Sequence, residues 1–226
     1  MNVLITSGGT SERIDSIRRI TNSGTGRLGR LIAERFADGG AGRIFYIRSE
    51  TADAPERGPV NDVTVESVAD LERAVRRVCA DVRVDAVIHA MAVSDYRVKS
   101  VTSSGRELRR DAKISSGERE LTVALVPAPK IISLFRTLAP SATLVGFKLL
   151  DGATQEELRG AARELMRANG CELVLANDAR EITGERHVGL LLSDDGGAER
   201  FESKKEIAEG IYRAVIARRN GQHRGV

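Results

Sequence analysis

Val3-Leu4-Ile5-Thr6-Ser7-Gly8-Gly9-Thr10 decides the fold: a β-branched run breaking on two glycines and a hydroxyl reads as a buried strand ending in a tight turn. A polar and charged insertion follows from Ser11 to Ser23, carrying Glu12, Arg13, Asp15, Arg18, Arg19 and Asn22, and leads into Gly24-Thr25-Gly26-Arg27-Leu28-Gly29. A helical pattern then starts at about Leu28 and continues through Leu31, Ile32, Ala33 and Phe36. Strand, glycine turn and helix N-terminus together make an anion cradle. Glycines let backbone N–H groups approach a phosphate, and the helix dipole favours negative charge there. The stretch therefore predicts a nucleotide or phosphate site at this edge. The Gly-x-Gly-x-x-Gly spacing is by itself a weak dinucleotide signal, because in that fingerprint the glycines follow directly on the strand. The insertion is more informative, since loops of this length inside a compact unit are usually functional.

Working outward, short apolar runs alternate with amphipathic helical patterns. Strands are predicted at Arg43 to Ile47, Ala86 to His89, Thr143 to Phe147 and Glu172 to Ala176. Helices are predicted at Val68 to Val78, at Lys130 to Leu138 behind Pro129, and at Gln155 to Ala168, where Gly170 ends the run. Ala52 to Asn61 reads as a loop. Arg97 to Ala128 reads as an arm or hairpin that interrupts the α/β order. Val188 to Leu192 and Ala198 to Phe201 read as a terminal hairpin, Lys204 to Arg218 as the last helix, and the tail from Arg219 as frayed. The alternation implies an α/β fold with a doubly wound, mostly parallel, Rossmann-like sheet, an inserted β-arm or flap and a terminal antiparallel hairpin. One nucleotide-binding α/β domain is expected across residues 1–226, with the arm at about 97–128.

Thirty-five Lys and Arg against 32 Asp and Glu leave a net charge of only +3, with the basic residues spread along the chain. That balance argues against a nucleic-acid partner. No apolar run approaches membrane-spanning length, so no membrane association is expected. With the first strand expected from residue 2, no signal peptide is expected. Cys79 and Cys171 lie among apolar neighbours without a second Cys or His at ligand spacing and read as buried free thiols of a reducing, cytoplasmic compartment.

Sheets of this type bind ligands beyond the carboxyl ends of their strands. Gly8-Gly9-Thr10, Ser94-Asp95, Phe147-Lys148 and Asn177-Asp178 all fall there. Gly8, Gly9 and Thr10 suit a phosphate contact. Asn22-Ser23 suits either a helix cap or a ligand contact. Asp95 suits a ribose, a base edge or a metal. Phe147 suits core packing or base stacking equally. By residue type alone Lys113 reads as solvated and His187 as a strand-flanking residue, whereas the Lys204-Lys205 pair, mildly unfavourable at a helix start, reads as a solvated face or as the mark of a nearby anion. Neither a nucleophile triad nor a metal-ligand cluster is present in the pattern, which points away from hydrolase-type nucleophilic catalysis and toward electrostatic activation of a phosphorylated substrate.

Several of these motifs, in this order, resemble phosphopantothenate–cysteine ligases of coenzyme A biosynthesis. They are Ile5-Thr-Ser-Gly-Gly-Thr10, Asp15-Ser-Ile-Arg-Arg-Ile-Thr-Asn22 running into Gly26-Arg-Leu-Gly29, Ala92-Val-Ser-Asp95-Tyr96, Asp111-Ala-Lys-Ile-Ser-Ser116, Val145-Gly-Phe-Lys-Leu-Leu-Asp-Gly152 and Ala176-Asn-Asp178. The lysine and Gly-Phe-Lys motifs look like the stand-alone bacterial form, for which no flavin is expected. The resemblance implies joining of 4'-phosphopantothenate to L-cysteine through an acyl-cytidylate formed from CTP, with Mg²⁺ on the triphosphate and metal ligands unknown. It implies Lys113 neutralising charge during activation and Asn22 holding the acyl-nucleotide. It implies a binding set of Gly8, Gly9, Thr10, Asp15, Arg18, Ser23, Gly24, Thr25, Gly26, Ala92, Asp95, Phe147, Lys148, Asn177 and Asp178. It also implies a homodimer with arms near the active sites. Departures are Ser115 and Ser116, where family members often carry further lysines, and Arg163 and Arg167, where fused enzymes have lysines on the helix before the Ala-Asn-Asp strand.

Two rival readings stand beside this one. Gly24, Gly26 and Gly29 with Arg48-Ser49 could serve an NADP-dependent reductase, although no catalytic Tyr/Lys pair is recognisable and the insertion stays unexplained. A non-catalytic nucleotide-binding regulator is the third.

Overall fold

In the computed structural model, which describes residues 1–183 and 186–222, the opening run forms β1 (Asn2–Ser7), and Val3, Leu4 and Ile5 are fully buried. A strand apolar on both faces needs cover on both, which is the signature of a central parallel strand. The insertion folds into a small hairpin of β2 (Ser11–Arg13) and β3 (Arg19–Thr21), and α1 (Arg27–Asp38) follows. Then come β4 (Arg43–Ser49), β5 (Val60–Val65), α2 (Val68–Asp81) and β6 (Ala86–His89). The arm consists of β7 (Tyr96–Ser103), β8 (Arg106–Glu107) and β9 (Thr122–Pro127). The chain continues with α3 (Ile131–Leu138), β10 (Thr143–Leu150), α4 (Gln155–Asn169), β11 (Leu173–Asp178), β12 (Ile182–Thr183), β13 (Arg186–Ser193), β14 (Ala198–Ser203) and α5 (Lys204–Gln222).

The described residues build a nine-stranded sheet in the order β12-β13-β11-β10-β6-β1-β4-β5, with β14 also paired to β13. The run from β5 to β11 is parallel, and β13 turns antiparallel at its edge. Successive strands step outward from β1 first to β4 and β5, then to β6, β10 and β11. The strand order therefore reverses between β1 and β6, and a crevice opens at the carboxyl ends there. Leu4 faces α2, α3 and α4 in one core layer, whereas Val3 and Ile5 face α1 and α5 in the other. Capping boxes start α2 at Ser67 with Asp70 and α4 at Thr154 with Glu157. Gly170, left-handed at φ 64°, ends α4.

Three sequence expectations need correction. Val60–Val65, read partly as loop, is a strand, and its side chains before the buried Val65, exposed or half-buried, are those of a sheet edge without an apolar run. The tail does not fray at Arg219, because α5 runs on to Gln222; residues 223–226 of that expectation lie outside the described residues. Cys79 is half-buried rather than buried, while Cys171 is buried, and both are free. Among the described residues no helix is long and apolar enough to cross a membrane.

The arm is a separate antiparallel sheet, β8-β7-β9, with its own small core of Val98, Val101 and Ile114. Ile14 at the hairpin tip packs against that core, so the insertion and the arm dock on each other. Polar contacts reinforce the docking. The Arg110 guanidinium donates to the carbonyls of Ile14 (3.2 Å), Val98 (3.0 Å) and Arg13, and Arg18 donates to the carbonyl of Ile114 at 3.2 Å.

Candidate active site

The crevice at the strand reversal is a cleft of about 550 Å³. Gly8, Gly24, Thr25 and Gly26 line its β1–α1 side, Ala92 and Asp95 the segment after β6, and Phe147, Lys148 and Asn177 the ends of β10 and β11. Asn22 lines it too. Its backbone N–H donates to Thr10 O (3.1 Å) and its Nδ2 donates to Ala92 O (3.2 Å), so it ties the end of the insertion to the segment after β6.

The glycines serve close packing as well as ligand access. A Cβ on Gly24 would lie 2.7 Å from Gly8 O, and one on Gly9 would lie 2.1 Å from Asn22 O. The returning chain thus sits directly on the turn after β1. Gly26 has φ 74° and opens α1 without a side-chain cap or an acid in the first turn. Arg27 N donates to Thr25 Oγ1 at 3.5 Å, and a helix start of this kind can accept an anion.

Several expected binding residues do not line the cleft. Thr10 is fully buried; its hydroxyl donates to Ser94 Oγ (3.0 Å) and accepts from Ser94 N (2.8 Å), so it fixes the β6 loop. Gly9 lies beneath Asn22. The Asp15 carboxylate accepts from the backbone N–H groups of Ile17 (2.8 Å), Arg18 (2.7 Å) and Ile114 (3.1 Å) and from Arg18 Nη1 (2.6 Å). Those donors, the Arg18 and Ile17 N–H groups foremost, hold it well below the usual carboxylate range. Asp178 is lowered in the same way by the N–H groups of Arg180, Gly152 and Ala153. Both acids are braces of loops around the cleft. Ser23 is exposed outside it, Arg18 stays on the hairpin beside Asp15, and Lys113 is exposed on the arm loop next to the buried Ile114. Asp95 pairs with Lys130. Arg163 and Arg167 border a different depression with Cys171 and Asp194.

Residue-type reasoning missed Arg27 and His187 and left Lys204 between solvent and a nearby anion; all three line the cleft. The Lys204-Lys205 pair at a helix start was the available signal, because positive charge is unfavourable there. His187 is pushed down to about 4 by burial and by neighbouring Lys204, so it is neutral near pH 7. Arg48, the basis of the NADP reading, is consumed internally. It chelates Asp62 through Nε and Nη2 and donates through Nη1 to the carbonyls of Ser49, Glu50 and Ala52. Among the described residues no group of three potential metal ligands is assembled.

The family model for the DNA/pantothenate metabolism flavoprotein C-terminal domain matches residues 1–218. The chain belongs to this family. Members similar to it include the coenzyme A biosynthesis bifunctional protein CoaBC of Thermococcus kodakarensis, 36% identical over 211 residues that cover 93% of this chain and 49% of that protein. The chain therefore spans about half the length of such curated relatives. The solved DNA/pantothenate metabolism flavoprotein of Streptococcus pneumoniae superposes with a TM-score of 0.86 at 34% identity, covering 96% of this chain and 99% of that one. The C-terminal domain of a CoaBC protein gives a TM-score of 0.73 at 25% identity, over 95% and 93% of the two chains. The doubly wound sheet, with its antiparallel hairpins, is the fold of this flavoprotein C-terminal domain family.

Proposed function

We propose that the chain is a phosphopantothenate–cysteine ligase that activates its acid substrate with CTP. The observation that carries this is the placement of Asn22, held between Thr10 and Ala92 at the rim of a cleft that also contains an uncapped helix start. Kinship with the CoaBC proteins of coenzyme A biosynthesis supports the substrate class.

In this reading, the carboxylate oxygen of 4'-phosphopantothenate attacks the α-phosphorus of CTP, forming the acyl-cytidylate as the Pα–O bond to pyrophosphate breaks. The amine of cysteine then attacks the acyl carbon, and CMP leaves with the electron pair of the C–O bond. The α1 N–H groups and Gly24 to Gly26 bind phosphate, Phe147, Lys148 and Asn177 hold the nucleoside, and Asn22 orients the acyl group for the second attack. Mg²⁺ favours substrate phosphates plus one or two carboxylates over an all-protein cage. The carboxylate that lines the cleft is Asp95, which would have to exchange its pairing with Lys130 for the ion. When bound, the ion would neutralise triphosphate charge.

Lys113 stands outside the cleft of its own chain, so its part requires the arm to close over bound nucleotide. A homodimer, with arms near the active sites, agrees with the exposure of Tyr96, Leu121 and Leu125 on the arm and of Ile17 and Ile20 on the hairpin. The test is pyrophosphate release in the presence of phosphopantothenate and cysteine, with CTP and ATP compared. Turnover preferring CTP is expected; no turnover with either nucleotide would end this reading.

A further inference from the structure

Lys113 stands between two grips on the loop that follows β8. Three residues before it, the Arg110 guanidinium donates through all three nitrogens to backbone carbonyls. Two of these, Ile14 O (3.2 Å) and Arg13 O, belong to the insertion hairpin, and the third, Val98 O (3.0 Å), belongs to β7. Directly after Lys113, Ile114 is held by both of its backbone groups. Its N–H donates to the Asp15 carboxylate at 3.1 Å, and its carbonyl accepts from Arg18 Nη1 at 3.2 Å. The Ile114 side chain closes the arm core against Val98 and Val101. Asp15 has no exposed surface, so water does not compete for the Ile114 N–H. Consecutive Cα atoms lie about 3.8 Å apart, so a held Ile114 leaves Lys113 little freedom beyond its own exposed side chain.

The hairpin that supplies these grips is fastened in turn to the main sheet. Ser11 N donates to Glu66 O at 2.7 Å, and Val68 N, at the start of α2, donates to the Glu12 carboxylate at 3.1 Å. At its far end stands Asn22, with its own bonds to Thr10 O and Ala92 O. The insertion thus leaves the turn after β1, takes hold of the lysine loop and returns to the cleft at Asn22.

We propose that Arg110 and Asp15 are positioning residues for Lys113, which through the hairpin fix where the lysine stands relative to the cleft. The activation step given to Lys113 rests on the ligase reading, whereas the grip on the loop does not. Neither residue touches substrate. A cation stabilises developing charge most when its place is set before the reaction, and a lysine on an ungripped loop would pay that ordering at each turnover. When the arm closes over nucleotide, the hairpin tip and the lysine loop move as one piece. The Asp15 contact is buried, while the ties of Arg13 and Arg19 to Glu66 are exposed ion pairs that give way readily.

The experiment uses the full chain as wild type, Arg110→Gln, Asp15→Asn and Arg109→Gln. The last removes the same charge as Arg110→Gln from an exposed neighbour paired with Asp111, and serves as the control. Hydrogen exchange at the Ile114 amide, read without substrates, is expected to be at least about tenfold faster in Asp15→Asn and in Arg110→Gln than in wild type and Arg109→Gln. Rapid quench then follows acyl-cytidylate formation from CTP and phosphopantothenate, and its conversion when cysteine is added to the preformed intermediate. Arg110→Gln is expected to slow formation at least about tenfold and conversion less than about twofold, because Asn22 keeps its own bonds. General damage to the fold would slow both steps. Wild-type exchange in either grip variant, equal acceleration in Arg109→Gln, a smaller slowing of formation, or equal slowing of both steps would each overturn the proposal. Accelerated exchange in a chain without CTP-dependent turnover sinks the ligase reading alone. CTP-dependent turnover with formation unaffected in Arg110→Gln sinks the positioning role alone.

Discussion

Gly9→Ala perturbs the site without removing any polar group. The added Cβ would sit 2.1 Å from Asn22 O and 2.9 Å from the Asn22 carbonyl carbon, so the Asn22 backbone must retreat by about 1 Å to reach an ordinary contact. That movement strains two hydrogen bonds, Asn22 N to Thr10 O and Asn22 Nδ2 to Ala92 O. At about 1 kcal/mol each, with about 1–3 kcal/mol for overpacking, the expected loss is about 3–5 kcal/mol. For a chain of this size, that lowers Tm by about 10 °C. A displacement of about 1 Å at an orienting residue also costs about 100-fold in kcat. Gly160→Ala is the internal control. Gly160 lies inside α4 with nothing within 4 Å of the added atom, and alanine there should raise stability by about 0.5–1 kcal/mol. Thermal melting and steady-state pyrophosphate release measure both effects. A Gly9→Ala protein with the melting temperature of wild type and kcat within about threefold of it would refute the packing account of Asn22.

Other outcomes follow from the same geometry. Burial pushes His89 down to about 4, and burial with Lys204 does the same to His187, from an ordinary value of 6.5. The unfolded chain therefore binds protons that the folded chain refuses between about pH 6.5 and pH 4, and stability falls as pH drops through that window, by about 1–2 kcal/mol per histidine between pH 7 and 5. Melting curves of wild type and His89→Asn across pH 5–8 check this; an equal slope in both would remove His89 as a cause. Lys113→Ala is expected to abolish formation of the acyl-cytidylate, whereas Asn22→Ala should let it form but slow its conversion, as read by rapid quench and mass spectrometry. Unimpaired overall turnover in Asn22→Ala would take that residue out of the mechanism. Asp15→Asn weakens the tie between the hairpin and the loop carrying Ile114. Because the Asp15 pKa is depressed, its contribution is full above an ordinary value near 3.8 and is lost as pH falls further, so the melting difference from wild type should be constant near neutrality and shrink in acid. A difference that grows toward acid would contradict that assignment.

The parts of the fold readable from sequence were those with a dominant local signal. The apolar runs of β1 and β6, the helical stripe of α2 and the glycine stop of α4 each announce themselves within a few residues. β5 did not, because an edge strand with half-exposed side chains alternates weakly. The β2–β3 hairpin was hidden for a related reason: it is held by its own short ladder and by Arg13 and Arg19 on Glu66, a partner far along the chain. At the site, the strand-end rule located the cleft, but residue type could not tell a ligand contact from a brace. Thr10, Asp15 and Asp178 look like ligand groups in sequence and spend their oxygens on the chain itself. His187 and Lys204 look bland and reach the cleft only because β13 folds back on β11 and β14 on β13, a long-range event without a local signature.

The central claim is that the acid is activated by transfer of a nucleotide to its carboxylate. The direct measurement uses 4'-phosphopantothenate labelled with ¹⁸O in that carboxylate, turned over with CTP and cysteine, with the products weighed by mass spectrometry. The account predicts one ¹⁸O in CMP and none in pyrophosphate. Label in inorganic phosphate alongside CDP, or product formed with no label in the nucleotide, would contradict it.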